Sequence, residues 1–571
     1  MNRNAGSLLG RWRAVAAALA AGLPVVWSLS AGAAIGLAPL PVGAQQPARL
    51  SASGDAERAT IPASPVPAAG SGSGSGAGGG LDIKPSSPGF QPYLPPSDSL
   101  LNLNLPRLGD AGNDDLSPTA ERRLGDSILR ELRAEGAMLD DIELSDFLNR
   151  FAARLTETSP ARGYSFEFFL VKDESLNAFA LPGGLIGVHT GLIEAAQTES
   201  ELASVLGHEM GHVIQRHIAR MLAQQRQTSL LQLAGLVLGA LAARSNPQAA
   251  MGAMTMGAGA QQQMMLSFSR DAEREADRVG LEILREAGFD PTGMVAFFGR
   301  LQNAGRLYEG APAYLRTHPL TTERIADMQA RIREQRYVQR PDSIEFRLVR
   351  AKLAALADGS VDGLRRTRAV FERQLREKTT GDEMATWFGI AIVALAQRDF
   401  DGSAKALAEV RKRMGSVITV SPAQAMVDRV AAETRLQQRD PQGALAIAQA
   451  GLQRSPQSRA LIYVQASALI DAGQAPQATR FLEDQIAIYR SDANLWRLLA
   501  LSYANQGQDA LAHRASAEQY ALMGGWMSAI EQLRLAQRSG KLDFYTASQV
   551  DTRLQEFQAI YTREKQEREG R

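Results

Sequence analysis

In a chain of 571 residues, the segment His208-Glu209-Met210-Gly211-His212 combines residue types and spacing into a reactive arrangement. Residues four apart on a helix share a face, so the imidazoles of His208 and His212 can converge on one metal ion. Glu209 lies about 100° further round the same helix, where its carboxylate can take a proton from water. Zinc in such a site takes three protein ligands and leaves a fourth position for water or substrate. The chain has no cysteine and six histidines, at 189, 208, 212, 217, 318 and 513, so the third ligand must be His, Asp or Glu. The chemistry implied is metal-assisted hydrolysis.

His217 follows His208 by nine residues. The extended pattern H-E-x-x-H-x-x-G-x-x-H would need glycine at 215 and histidine at 218, where Gln215 and Ile218 stand. That class is excluded, and His217 is expected to be a surface histidine at the end of the helix. A better source is Ser269-Arg270-Asp271-Ala272-Glu273-Arg274-Glu275-Ala276-Asp277. Glu273 and Asp277 are four apart on a predicted helix. One carboxylate can bind the ion while the other accepts the second N–H of a ligand histidine. Glu275 is the competing choice, although its side chain points elsewhere on that helix. His189 and His513 are expected to be ordinary structural histidines.

The elements around these residues follow from pattern. Apolar residues at 124, 128, 129 and 132, then at 142, 144, 147, 148, 151 and 155, predict helices over 117–157. Ser165–Val171 reads as a strand, and Asn177–Thr190 as two short strands around Pro182-Gly183-Gly184. Thr198 and Glu201 form a capping box that opens the H-E-x-x-H helix, which is expected to run to about Met221. Leu230–Ala243 is apolar or small throughout except Gln232, and a Met- and Gly-rich stretch follows it. Fourteen residues are too few to span a bilayer. Residues 222–268 therefore read either as a buried helical hairpin or as a lid or membrane-surface contact beside the site.

Ahead of this region, Arg3, Arg11 and Arg13 precede an apolar stretch and the small residues Val42-Gly43-Ala44. That order reads as a cleavable export signal over 1–44; a retained membrane anchor is the alternative. Residues 45–115, rich in Gly, Ser and Pro, read as a linker. Behind the region the chain is helical and repeats. Ala444, Ala478 and Ala512 are 34 residues apart, as are Gly473 and Gly507. Trp496, Leu499, Tyr503, Gly507 and Ala512, with Pro456 one repeat earlier, fit tetratricopeptide spacing, and Trp387, Ala391 and Ala394 fit a degenerate copy. Stacked helix pairs of this kind form a partner-binding surface.

Basic and acidic residues number 62 and 61, a balance that lacks the electrostatic footprint of a nucleic-acid binder. HEMGH followed by SRDAEREAD resembles the M48 family of zinc peptidases, strongly over about 115–345 and more loosely over the repeats. The resemblance implies an α+β zincin-like metallopeptidase domain, mostly helical with a small sheet, over 116–344. An all-α tetratricopeptide-repeat solenoid follows over 345–571. It also implies one zinc ion per chain on His208, His212 and Glu273, with Glu209 as general base. Asp277 would support the ligand shell or donate a proton, and the strand pair 177–190 would hold an extended substrate. Thr317-His318-Pro319 matches a segment of close relatives. His318 is accordingly expected to act as a regulatory fourth ligand, the alternative being an ordinary loop histidine. With an export signal, the resemblance further implies a periplasmic enzyme acting on unfolded or misassembled proteins. Its repeats would meet outer-membrane barrel assembly machinery; a peripheral membrane contact through 222–268 belongs to the second reading of that stretch, the lid or membrane-surface contact, and not to the buried hairpin. The competing function is a latent metalloprotein that serves as a chaperone or scaffold. A membrane-embedded peptidase would need apolar stretches of about 20 residues, which the mature chain lacks.

Overall fold

The computed structural model describes residues 117–224, 270–307, 313–333, 341–415, 421–540 and 542–569. The expected export signal and linker, and nearly all of the 222–268 stretch, lie outside them. Helix α1 (Pro118–Ala134) starts at Ser117, whose side chain accepts from the Ala120 amide, with Pro118 in the first turn. Helix α2 (Ile142–Thr156) is capped by Asp141 and buries Leu144, Phe147, Leu148, Phe151 and Leu155 along one face.

Three strands follow: β1 (Glu167–Val171), β2 (Ala178–Leu181) and β3 (Leu185–His189), in the order β1-β3-β2. β1 runs parallel to β3, from Glu167 opposite Leu185 to Val171 opposite His189. β2 runs antiparallel to β3, with Ala178 opposite Val188 and Leu181 opposite Leu185. Their turn needs glycine at 184, where φ is +83° and a Cβ would stand 2.0 Å from the Ser165 carbonyl oxygen. This order leaves β2 at the edge of the sheet.

The helices that carry the chemistry are α3 (Thr190–Ala195), α4 (Glu199–Ile214), α5 (His217–Gln224) and α6 (Arg270–Glu286). After them come α7 (Thr292–Leu307), α8 (Ala313–Thr317), α9 (Thr322–Arg333) and α10 (Ile344–Leu356). The H-E-x-x-H helix does not continue to Met221 as its pattern implied. It stops at Ile214, and Arg216 takes a left-handed conformation at φ +50° before α5 begins. At this break the Arg216 guanidinium donates to Glu121 of α1 (Nε to Oε1, 3.0 Å).

Beyond α10 the helices pack in consecutive pairs, among them Pro422–Gln437 with Pro441–Arg454, Arg459–Asp471 with Ala475–Ile488, and Ala493–Asn505 with Asp509–Leu522. Gly473 and Gly507 turn between paired helices at φ +74° and +68°. Arg439, 34 residues before Gly473, holds the same place at φ +64°. Ala444 and Ala478 are fully buried between helices, whereas Ala512 is only half-buried and Ala510 and Ala515 fill the contact. No helix among the described residues is long and apolar enough to cross a membrane.

One hydrophobic core runs from Leu144 in α2 to Ala431 in the repeats, passing through Phe147, which stacks on Phe346 at 6.3 Å. Charges cross the same junction. Lys352 of α10 lies 2.7 Å from Asp141 and 2.9 Å from Glu143, and Arg429 lies 3.0 Å from Glu143. Burial would raise the Glu143 carboxyl, but Arg429 and Lys352 hold it below its ordinary range. Removing one member of such a buried set strands the others and costs about 3–5 kcal/mol. Glu143→Ala should therefore lower the melting temperature of the whole described unit in one transition. An unchanged midpoint would mean that the buried charges do not hold these elements together.

Candidate metal centre

Helix α4 is buried on every side from Glu199 to His212, its polar side chains included, and so runs through the middle of the domain. Its start is fixed by Thr198, which accepts from the Glu201 amide at 3.2 Å. The Glu201 carboxylate accepts in turn from the Gln197 amide at 2.6 Å and from Arg300 at 2.5 Å. The chemistry then depends on how closely α6 approaches. A Cβ on Gly211 would stand 2.8 Å from the Ala276 carbonyl oxygen, and one on Gly280 would stand 2.9 Å from the His208 amide nitrogen. Glycine at these positions lets the two backbones touch, and their contact sets the α6 carboxylates against the α4 imidazoles.

Ligand atoms of His208, His212, Glu273 and His318 all lie within 4.8 Å of one another, and all four residues are buried. His208 Nε2 and His212 Nε2 are 3.0 Å apart. Glu273 Oε2 is 3.5 Å from His208 Nε2, and Oε1 is 3.4 Å from His212 Nε2. His318, just past α8, places Nδ1 3.0 Å from Glu273 Oε1 and 3.4 Å from His208 Nε2. Two imidazole nitrogens this close repel each other's lone pairs unless a proton or a cation lies between them. Three imidazoles and a carboxylate form a donor set suited to zinc.

Glu209 sits beside this set. Its Oε2 accepts from the Ala180 amide of edge strand β2 at 3.1 Å. Its Oε1 accepts no hydrogen bond among the described residues and lies 3.5 Å from His318 Nε2. Asp277 Oδ1 is 2.9 Å from His208 Nδ1, on the far side of that ring from the donor set. Asp277 is itself gripped by Arg324 of α9, through Nε to Oδ2 and Nη2 to Oδ1, both 2.7 Å. The same guanidinium reaches Glu273 Oε2 at 2.7 Å and donates to the Pro319 carbonyl at 2.8 Å, tying the His318 loop to α6.

Two of these neighbours were not legible in the sequence. Arg324 carries no local signal, because a buried guanidinium is recognisable only once the carboxylates around it are placed. His217 is not the surface histidine that its position suggested. It is 3% exposed, with Nδ1 2.8 Å from His212 Nδ1 and Nε2 3.0 Å from Glu275 Oε2. The backbone turn at Arg216 brings it back under His212. Glu275, the rival third ligand, faces His217 and Arg220 and stands apart from the four-residue donor set. His189 and His513 also lie apart, at 2.9 Å from Ser175 Oγ and 2.8 Å from Gln532 Oε1.

Charges are strongly displaced at the centre. Burial opposes a charged imidazole at His208, but hydrogen bonds to Asp277 and Glu273 overcome it and lift the ring from 6.5 to about 9. Burial, reinforced by the charge on His208, drives His212 well below 6.5 against the pull of Glu273. Burial would raise Glu273, yet His318, His208 and His212 hold it well below 4.5. Burial likewise would raise Asp277, and Arg324 and His208 keep it below 3.8. At Glu209 burial prevails and the carboxyl is raised above 4.5.

Residues 140–332 match the model of peptidase family M48, and residues 435–501 match a tetratricopeptide-repeat model. A protein of Escherichia coli (strain K12) named beta-barrel assembly-enhancing protease is 30% identical over 462 residues, covering 80% of this chain and 92% of that one. A putative beta-barrel assembly-enhancing protease of Vibrio cholerae is 32% identical over 315 residues, or 54% of this chain and 64% of that one. The mitochondrial metalloendopeptidase OMA1 of Arabidopsis thaliana is 32% identical over 185 residues, or 32% and 35% of the two chains.

A sign follows for the metal-free protein. The folded value of His208, about 9, exceeds its unfolded value of 6.5. Its charged form therefore stabilises the fold fully below pH 6.5, and that contribution fades as pH rises through about 9. Thermal unfolding of chelator-treated protein should show a melting temperature that falls across this window. A flat or rising curve would contradict the burial of a charged His208 between Asp277 and Glu273.

Proposed function

Because the chain belongs to peptidase family M48 and is a metalloendopeptidase, we propose that it holds one zinc ion on His208, His212 and Glu273 and cleaves unfolded or misassembled proteins. The observation that carries this reading is the convergence of buried ligand atoms within 4.8 Å, with Glu209 on the same helix beside them. When bound, zinc polarises the scissile carbonyl and lowers the pKa of a water molecule toward neutrality. Glu209 is the general base. Ala180 orients one carboxylate oxygen and leaves the other without a hydrogen bond, and burial raises the carboxyl's proton affinity. It takes the proton from water and passes it to the leaving amine. Asp277 acts through His208: held ionised by Arg324, it accepts the Nδ1 hydrogen and turns Nε2 toward the donor set.

Strand β2 supplies the substrate platform. Edge strands pair with extended peptides through backbone hydrogen bonds, which accommodates many sequences but only unfolded chains. His318, with Nδ1 3.0 Å from Glu273 Oε1 and 3.4 Å from His208 Nε2, would hold the ion as a regulatory fourth ligand and so keep substrate out. The peptidase unit spans 116–344 and the repeat unit 345–571, the two sharing one core. The basic-then-apolar N-terminus supports export to the periplasm. The same relative supports a role in quality control of outer-membrane barrels, with the repeats receiving the assembly machinery or its clients.

The primary experiment measures zinc content and cleavage of an unfolded model protein for wild type and Glu209→Gln. Zinc in both with cleavage in wild type alone is the expected result, the loss reaching about 10²–10⁴-fold for a missing general base. Absence of zinc from the wild type would sink the proposal, and full activity in Glu209→Gln would remove Glu209 as base. His318→Ala should retain zinc and cleave several-fold faster than wild type. An unchanged rate would show that His318 is no latch.

A further inference from the structure

Both ring nitrogens of His212 are committed. Nε2 faces the donor set, 3.0 Å from His208 Nε2, and Nδ1 lies 2.8 Å from His217 Nδ1. Two imidazole nitrogens at that distance share a single hydrogen. Which of them owns it is decided one step further out, where His217 Nε2 lies 3.0 Å from Glu275 Oε2. An ionised carboxylate only accepts, so His217 Nε2 carries a hydrogen. In the neutral ring Nδ1 is then bare, and it accepts the hydrogen of His212 Nδ1. That leaves the lone pair of His212 on Nε2, facing the other ligands.

We propose that His217 and Glu275 are positioning residues of the metal centre, forming a carboxylate–imidazole–imidazole relay that fixes the tautomer and ring angle of His212. The proposal rests on the reading that His212 binds the ion. It also gives the two ligand histidines matched support from one helix. Asp277 of α6 holds His208 directly at 2.9 Å, and Glu275 of α6 holds His212 through His217. The relay is anchored at its outer end by Arg220 of α5, whose Nη2 lies 2.5 Å from Glu275 Oε2. It runs from a ligand with no exposure at its side chain to a carboxylate that is 41% exposed. The left-handed turn at Arg216 makes it possible, because an uninterrupted α4 would carry residue 217 away from His212.

The test is zinc affinity, measured by chelator competition on the full chain, with the melting temperature of each metal-free form recorded alongside. His217→Leu removes the acceptor while filling the space, and should weaken zinc binding about 10–100-fold. His217→Asn returns an acceptor oxygen near the place of Nδ1 and should recover most of that loss. Glu275→Ala changes a half-exposed side chain and should weaken zinc several-fold while the metal-free protein still unfolds cooperatively, so the proposal stays testable even if the leucine variant fails to fold. Wild-type affinity in His217→Leu would overturn the proposal, as would an asparagine variant no better than leucine. Unchanged affinity in Glu275→Ala would remove the carboxylate from it. Failure of the wild type to bind zinc would instead overturn the underlying reading of the centre.

Discussion

Several ionisable groups buried within a few ångströms of one another are tolerable only when each charge meets an opposite charge or shares a cation, since the interior solvates none of them. At this centre Glu273 and Asp277 are both held as carboxylates, and Arg324 contributes the permanent positive charge that touches both. What brings them to His208 and His212 is backbone contact between α4 and α6 through Gly207, Gly211 and Gly280. The glycines and the charges depend on each other. A side chain at Gly211 would meet the Ala276 backbone, which has no freedom to rotate away. Separating the helices would leave carboxylates and imidazoles desolvated and apart. Close approach is thus a condition for burying the donor set at all.

The rest of the molecule braces that crossing. The Glu199 amide at the start of α4 donates to Asp342 at 2.7 Å, and its carboxylate accepts from Ser343 at 2.5 Å, immediately before α10. Helix α2, which packs on β1, sends Glu143 to Lys352 and Arg429 and sends Asp146 to Arg459 at the head of a repeat helix. The repeats therefore do more than hang behind the peptidase elements. They complete its core and satisfy charges that α2 buries, so the repeats and helix α4 belong to one continuous body.

The legible parts of this arrangement were those encoded locally. The i, i+4 imidazoles, the carboxylate pair on α6, the Thr198 cap, the three strands and the 34-residue glycine spacing all reflect contacts within one element or one turn. The parts that escaped depend on distant segments. Nothing in Gln215-Arg216 signals a helix end, because the residue that adopts positive φ is an arginine with no turn propensity. Counting onward from His208 along one continuous helix therefore placed His217 on the wrong side. Arg324 and the shared core of α2, α10 and the repeats were invisible for the same reason: their partners lie tens to hundreds of residues away.

Arginine at 216 illustrates how such a departure is sustained. A non-glycine residue in the left-handed region costs roughly 1–2 kcal/mol, which glycine would avoid. The side chain offsets that cost by pairing with Glu121, fixing α1 against the end of α4. Glycine would relax the backbone but lose the tie, and it would leave the angle between α4 and α5 loosely set. That angle determines whether His217 meets His212 at 2.8 Å. The strain is therefore placed where a small change in direction is felt at the His212 imidazole, beside the buried donor set. A helix that ended one residue later would keep His208 and His212 in place yet turn His217 away from the outer nitrogen of His212.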